Sequence, residues 1–191
     1  MPAPKILVFS GSTREGSLNT RLATLAARKL AAAGAQVTQI TLADYTLPLV
    51  DATAFGATPA KATELRALFD AHHGLFIASP EYNAGYTPAL KNALDWASTA
   101  KPGAPASGLA GKVVALGGAS PGHLGGYRSL TQLRTVLELG FGAMLIPEMV
   151  AVGLADKAFG EDGELLDART GGFLDALVTR LVKVAGQAAA S

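Results

Sequence analysis

Lys5-Ile6-Leu7-Val8-Phe9-Ser10-Gly11-Ser12-Thr13-Arg14-Glu15-Gly16-Ser17-Leu18-Asn19-Thr20 is the stretch on which the fold turns. Its first six residues are a short apolar run of the kind a strand shows when both of its faces are buried. The run breaks at Gly11 into a loop rich in glycine and hydroxyls. From Leu18 to Ala33 apolar Leu22, Leu25, Ala26 and Leu30 recur at helical spacing, and Gly34 stands where a helix C-cap belongs. Strand, glycine loop and helix in immediate succession are the opening of an α/β unit. In the loop, glycines let the backbone turn and present N–H groups. Ser12, Thr13, Ser17, Asn19 and Thr20 add neutral donors, and Arg14 adds a charged fork suited to a phosphate. The helix N-terminus behind them contributes its dipole. A plain βα turn with Ser17 as N-cap explains one hydroxyl but not the cluster, so the loop reads as a phosphate cradle.

Three related motifs do not match. A P-loop needs Gly-Lys-Ser/Thr before the helix, and no lysine stands here. The dinucleotide pattern G-x-G-x-x-G fails, because position 13 is Thr and Gly16 is followed by Ser. A phosphoacceptor receiver domain wants acidic residues at the strand ends, and the first strand ends without one.

The alternation continues along the chain. Gln36–Leu42 alternates polar and apolar residues, as a strand near an edge does. Asp44–Ala57 is loop-like, and Thr58-Pro59 predicts a helix start, with Thr as N-cap and Pro at the first helical position. Leu75–Ser79 is a third strand, and Thr87-Pro88 opens a helix by the same cap logic. Lys101–Gly108 is a connection rich in Pro, Gly and Ala. Lys112–Leu116 is a fourth strand that runs into the glycine-rich loop Gly117–Gly122. Arg128–Glu138 is a helix, Ala143–Val152 a last strand with a bulge or edge at Pro147, and Ala168–Gln187 a final helix. Such a series implies a parallel sheet with right-handed crossovers and helices on both faces. Ligands in these sheets bind beyond the carboxyl ends of the strands. The loops after strands one, three and four therefore converge on one place, and they are the three unusual loops of the chain.

The loop after strand three is Pro80-Glu81-Tyr82-Asn83, followed by Gly85-Tyr86-Thr87-Pro88-Ala89-Leu90-Lys91-Asn92-Ala93-Leu94-Asp95-Trp96. A flat heterocycle needs an apolar wall and backbone amides along its edge. Pro80 and Tyr82 can form the wall, and the N–H groups of Tyr82 and Asn83 can reach polar ring atoms. Lys91, Asn92 and Asp95 read as a polar helix face. His123 reads as a solvated loop residue. His72 and His73 sit at a helix end, where positive charge suits the dipole. Three histidines without matching carboxylates make no metal site.

Composition narrows the classes. The chain has 191 residues, 49% hydrophobic and 16% charged, with 16 basic against 15 acidic side chains and no cysteine. One domain spanning 1–191 is expected, long enough to bury roughly 70% of its unfolded surface without disulfide or metal. Balanced charge points to no nucleic-acid or membrane-surface partner. No stretch approaches the ~20 apolar residues that span a bilayer, and no signal-peptide pattern opens the chain. The expected location is cytoplasmic.

The Gly-Ser-x-Arg-x-Gly-Ser-x-Asn loop and the Pro-Glu-Tyr-Asn…Leu-Lys-Asn-Ala-Leu-Asp-Trp run together resemble the NADPH-dependent FMN reductase family, which includes bacterial FMN-dependent NAD(P)H:quinone, azo-dye and chromate reductases. The third loop, Gly118–Gly126, fits the same pattern. The resemblance implies a flavodoxin-like, doubly wound five-stranded parallel sheet of order 2-1-3-4-5 with FMN as cofactor. By matching positions it implies that Ser12, Arg14, Ser17, Asn19 and Thr20 hold the phosphate, that Pro80, Glu81, Tyr82 and Asn83 line the isoalloxazine, and that Ser120 and Gly122 close the site. The activity implied is hydride transfer from NADPH or NADH to FMN and on to a small-molecule acceptor: a quinone, azo compound, metal oxyanion or free flavin. It also implies a homodimer or homotetramer. A flavodoxin-type electron carrier and a non-enzymatic nucleotide sensor are the other readings. The net charge of +1 argues against a carrier that docks on basic partners.

Overall fold

The computed structural model describes residues 2–51, 58–98 and 108–190. Five parallel strands form one sheet in the order β2-β1-β3-β4-β5. They are β1 (Lys5–Ser10), β2 (Gln36–Thr41), β3 (Gly74–Ala78), β4 (Val113–Ala119) and β5 (Met144–Val152). The helices between them are α1 (Leu18–Ala32), α2 (Ala60–Ala71), α3 (Pro88–Ser98), α4 (Tyr127–Thr135) and α5 (Ala168–Ala188).

The central strands are apolar throughout because both faces are covered. Ile6 and Val8 pack with Leu22, Leu25 and Leu30 of α1 and with Leu174, Leu177 and Leu181 of α5. Leu7 and Phe9 face the other way, onto Leu65 and Phe69 of α2, with Leu90 and Leu94 of α3 and Leu130 and Leu133 of α4 in the same layer. Each such side chain contributes about 1.5–3 kcal/mol by leaving water. The Phe9 and Phe69 rings stack with centroids 5.9 Å apart. Among the described residues no helix is long and apolar enough to cross a membrane.

Helix α1 ends as its sequence directs. Gly34 takes φ +90°, and the Ala35 amide returns to the Leu30 carbonyl at 3.1 Å. Pro147 lies on the edge strand, where the β4–β5 register shifts between Val114 and Leu116. Several expectations shift. Helix α2 starts at Ala60, with Pro59 in the cap position at ψ 145° and no side-chain cap, so Thr58 is not the N-cap. The Pro59 carbonyl itself accepts from the Ala62 and Thr63 amides. Helix α4 gives way at Val136–Gly140 to one wide π turn instead of running regularly to Glu138. The expected loops Asp44–Ala57 and Lys101–Gly108 lie partly outside the described residues, and a tight turn over Leu42–Asp44 leads into the first.

The largest change is at β4. Gly117, Gly118 and Ala119 are not the start of the loop but the last three residues of the strand, paired with Val150, Ala151 and Val152. Glycine there serves close approach and not turning. A Cβ on Gly117 would lie 2.8 Å from Phe76 Cζ, and one on Gly118 would lie 2.7 Å from the Gly125 carbonyl. The third loop thus folds back over the end of its own strand.

Candidate functional site

β1, β3 and β4 end side by side, and their three loops are stitched together there. The Gly11 amide donates to the Ala78 carbonyl at 2.8 Å, and the Ser79 amide to Gly117 at 2.7 Å. Buried Thr87 donates from Oγ1 to the Gly11 carbonyl at 2.6 Å and accepts from the Leu90 amide at 3.2 Å. It therefore caps α3 and anchors the first loop at once. Gly11 has no room for a side chain: a Cβ would stand 2.9 Å from Leu90 Cδ2 and 3.2 Å from Pro80 Cδ.

Between the loops lies an open cleft lined by Ser12, Arg14, Ser17, Leu18, Asn19, Pro80, Glu81, Tyr82, Ala119, Ser120 and Pro121, with a volume of about 240 Å³. Most of the residues expected from the sequence meet here. Thr20 does not. It faces a neighbouring groove along α1, with Arg21, Thr24 and Arg28. Asn83 and Gly122 sit outside the lining, Asn83 in an exposed turn and Gly122 donating its amide to Ser120 Oγ at 3.2 Å.

The lining residues divide into those already bonded and those left open. Asn19 is 4% exposed. Its Nδ2 donates to the Ala119 carbonyl at 2.8 Å, and its Oδ1 accepts from the Ala119 amide at 2.9 Å. The carboxamide thus prolongs the pairing of β4 and clamps the first loop to the third. Ser17 Oγ caps α1 by accepting from the Asn19 amide at 3.2 Å, and Ser12 Oγ accepts from the Arg14 amide at 3.2 Å. Both hydroxyls keep their protons for a ligand. The Arg14 guanidinium is exposed and finds no acceptor among the described residues.

Glu81 is occupied. Its Oε1 accepts from Arg128 Nε at 2.8 Å and from Arg128 Nη2, and its Oε2 accepts from the Arg128 and Ser129 amides at 3.2 and 3.3 Å. Burial pushes the Glu81 carboxyl up, but the bonds from Arg128 and Ser129 outweigh it and leave it below the usual carboxylate range. No uncompensated carboxylate therefore lines the cleft. The Tyr82 amide is not free for a ring atom, contrary to expectation. It donates to the Gly85 carbonyl at 2.8 Å, and the Gly85 amide returns to Tyr82 at 2.9 Å. The two bonds close a tight turn with Asn83 and Ala84 at its tip. The Tyr82 side chain is 55% exposed at the edge of the cleft.

Arg128, Ser129 and Gln132 escape the sequence reading, and of Thr87 it reads the cap on α3 but not the hold on Gly11. One signal for Arg128 exists: a cation in the first turn of a helix is unfavourable unless a carboxylate meets it. Nothing in the local sequence shows that this carboxylate is Glu81, 47 positions away.

The cleft fits a flavin mononucleotide. Free hydroxyls and an unpaired guanidinium suit its phosphate, and Pro80 and Tyr82 offer an apolar edge to its ring.

Similarity to known proteins runs in the same direction. The family model for NADPH-dependent FMN reductase matches residues 4–157. An NAD(P)H-dependent FMN reductase of Pseudomonas aeruginosa is 37% identical over 164 residues, 85% of each chain. A quinone reductase of Escherichia coli K12 is 32% identical over 169 residues, 87% of each chain. Among solved structures, the flavoenzyme NAD(P)H:(acceptor) oxidoreductase FerB from Paracoccus denitrificans superposes with a TM-score of 0.79 at 27% identity, covering 97% of this chain and 98% of that one. With a 2-1-3-4-5 sheet carrying an anion-ready cleft at the ends of β1, β3 and β4, the chain belongs to the NADPH-dependent FMN reductase family.

Proposed function

We propose that this protein is an FMN-dependent NAD(P)H oxidoreductase, built as one flavin-binding domain over residues 1–191, that passes electrons to a quinone, azo compound, metal oxyanion or free flavin. The observation that carries the reading is the unpaired Arg14 guanidinium at a cleft of free hydroxyls, beside the exposed Tyr82 edge. Arg14, Ser12 and Ser17 hold the phosphate of FMN. Asn19 acts behind them, fixing the first loop to Ala119. Pro80, Tyr82 and Asn83 border the ring, and Ser120 and Gly122 close the opposite side. Thr20 stands one groove away and serves only the edge of the phosphate position. Bound FMN supplies hydride acceptance from NADPH or NADH and electron release to the acceptor. The chain's part is to bind, orient and leave one ring face open to two successive partners.

Apolar Tyr82 and Leu124, both more than half exposed on the framing loops, support a homodimer or homotetramer with the cleft near a subunit boundary. The cytoplasm, where NAD(P)H is at hand, is the compartment that this chemistry implies. Titration with FMN, followed through its visible absorption, tests the reading. Saturable uptake and anaerobic bleaching on mixing with NADPH or NADH are expected. A protein that takes up no FMN overturns it, and one that binds FMN without bleaching is a carrier.

A further inference from the structure

We infer that Glu81 is a positioning residue: with the first turn of α4 it holds the Pro80–Gly85 turn, the wall of the flavin cleft, in a backbone shape that Ala84 disfavours. The inference rests on the FMN-reductase reading.

The turn is an unlikely one for its sequence. Reciprocal bonds between Tyr82 and Gly85 enclose Asn83 at φ +50° and Ala84 at φ +67°. Two left-handed residues in a two-residue turn call for Asn-Gly, and here the second is alanine, whose Cβ opposes that conformation. Something outside the turn must keep it so.

That support comes from α4 at three levels. The Glu81 side chain is 9% exposed, and both of its oxygens are filled by Arg128 and by the Arg128 and Ser129 amides. Fully buried Ser129 donates from Oγ to the Pro80 carbonyl at 2.9 Å, while lying 2.8 Å from Ser79 Oγ. Gln132, one helical turn further, donates from Nε2 to the Ala84 carbonyl at 3.0 Å. Pro80 and Glu81 at the start of the turn and Ala84 near its end are thus tied to one helix face. Helix α4 in turn benefits, because Glu81 supplies the anion that its N-terminus and Arg128 both require. With four donors on two oxygens, Glu81 has no lone pair directed to a ligand. Its influence on hydride transfer goes through the placement of the wall, and a misplacement of an ångström costs about 100-fold in rate.

The test uses the FMN-loaded protein and three variants: Glu81→Gln, Gln132→Leu and Gln132→Leu combined with Ala84→Gly. Anaerobic stopped flow gives the rate of flavin reduction at saturating NADPH, and the affinities for FMN and riboflavin report on the phosphate end. Glu81→Gln is expected to slow reduction by about 10-fold or more and to alter the flavin absorption band. The ratio of FMN to riboflavin affinity stays at the wild-type value. Gln132→Leu slows reduction less, and Ala84→Gly restores the rate, because glycine takes the turn without being held. A wild-type rate and spectrum in Glu81→Gln overturn the inference, as does a collapse of the FMN-to-riboflavin ratio. If Glu81→Gln does not fold, the Gln132→Leu pair decides: rescue by Ala84→Gly supports the inference, and its absence overturns it. Failure of the wild type to take up FMN removes the functional reading first. Unchanged variants of a working wild type remove only this inference.

Discussion

The two ends of the sheet collect similar residues and use them oppositely. At the amino ends of the strands, basic groups are spent on the fold. Lys112 Nζ donates to the Asp70 and His72 carbonyls at 3.0 and 2.6 Å, closing the end of α2. The His72 ring lies between the Leu68 carbonyl at 2.6 Å and Thr38 Oγ1 at 2.9 Å. His73 Nδ1 accepts from the Lys5 amide at 3.0 Å. At the carboxyl ends, by contrast, Arg14 and the Ser12 and Ser17 hydroxyls keep donors in reserve. The lesson concerns titration signals. Burial lowers Lys112, with Arg66 adding to it and Asp70 offsetting part of it; burial, then Lys112 and Lys5, lower His73. Both groups sit on the face away from the crevice. Perturbed titration marks functional sites in general, but here the donors without an acceptor among the described residues mark the cleft, and the one shifted carboxyl there, Glu81, is spent on Arg128 and Ser129.

The sharpest way to break this contrast is Asn19→Leu, since Asn19 lines the cleft yet spends its carboxamide on the fold. It would leave the Ala119 amide and carbonyl buried and unpaired, costing about 2–5 kcal/mol of stability. Urea denaturation and FMN titration should both record the loss. A stable protein with intact FMN affinity would dissolve the clamp. Next, Arg14→Ala should weaken FMN binding by about 1.5–3 kcal/mol, the worth of a charge-assisted bond, with no change in the urea midpoint. Equal FMN affinity would remove Arg14 from the phosphate. Lys112→Met makes the converse case: about 1–2 kcal/mol of stability lost, with FMN affinity kept. Reduced FMN affinity there would show that the two ends are coupled.

The smallest effect is a pH dependence. His73 is held below its ordinary value of 6.5, so the unfolded chain takes its proton first as pH falls. Stability contributed by neutral His73 is full above that value and declines as pH drops below it. A plot of Tm against pH between 7 and 5 should therefore fall, and flatten in His73→Gln. An unchanged slope would assign the acid sensitivity to other groups. The expectation that positive charge suits this helix end is thereby corrected for His73: burial first, then the nearby Lys112 and Lys5 charges, disfavour its charged form, and its Nδ1 accepts from the Lys5 amide.

Much was legible in one dimension because it depends on neighbours in the chain. The apolar run Lys5–Ser10, the helix stop at Gly34 and the Thr87-Pro88 start each follow from local periodicity or backbone preference. The failures share a cause. Gly117-Gly118 reads as a loop by composition, yet contact with Phe76 and Gly125 requires glycine inside a strand. Asn19 and Glu81 carry ligand-like chemistry, yet each spends it on a partner far along the chain, at separations of 100 and 47 residues.

The order of residues was enough to establish the α/β alternation and the meeting of three loops at one end of the sheet, and to set the expectation of an anion at the first, since periodicity, turn residues and charge are local properties. Which of those polar groups stay open to a ligand was left to the folded chain. A donor is free only when no distant acceptor reaches it, and that is a property of packing in three dimensions.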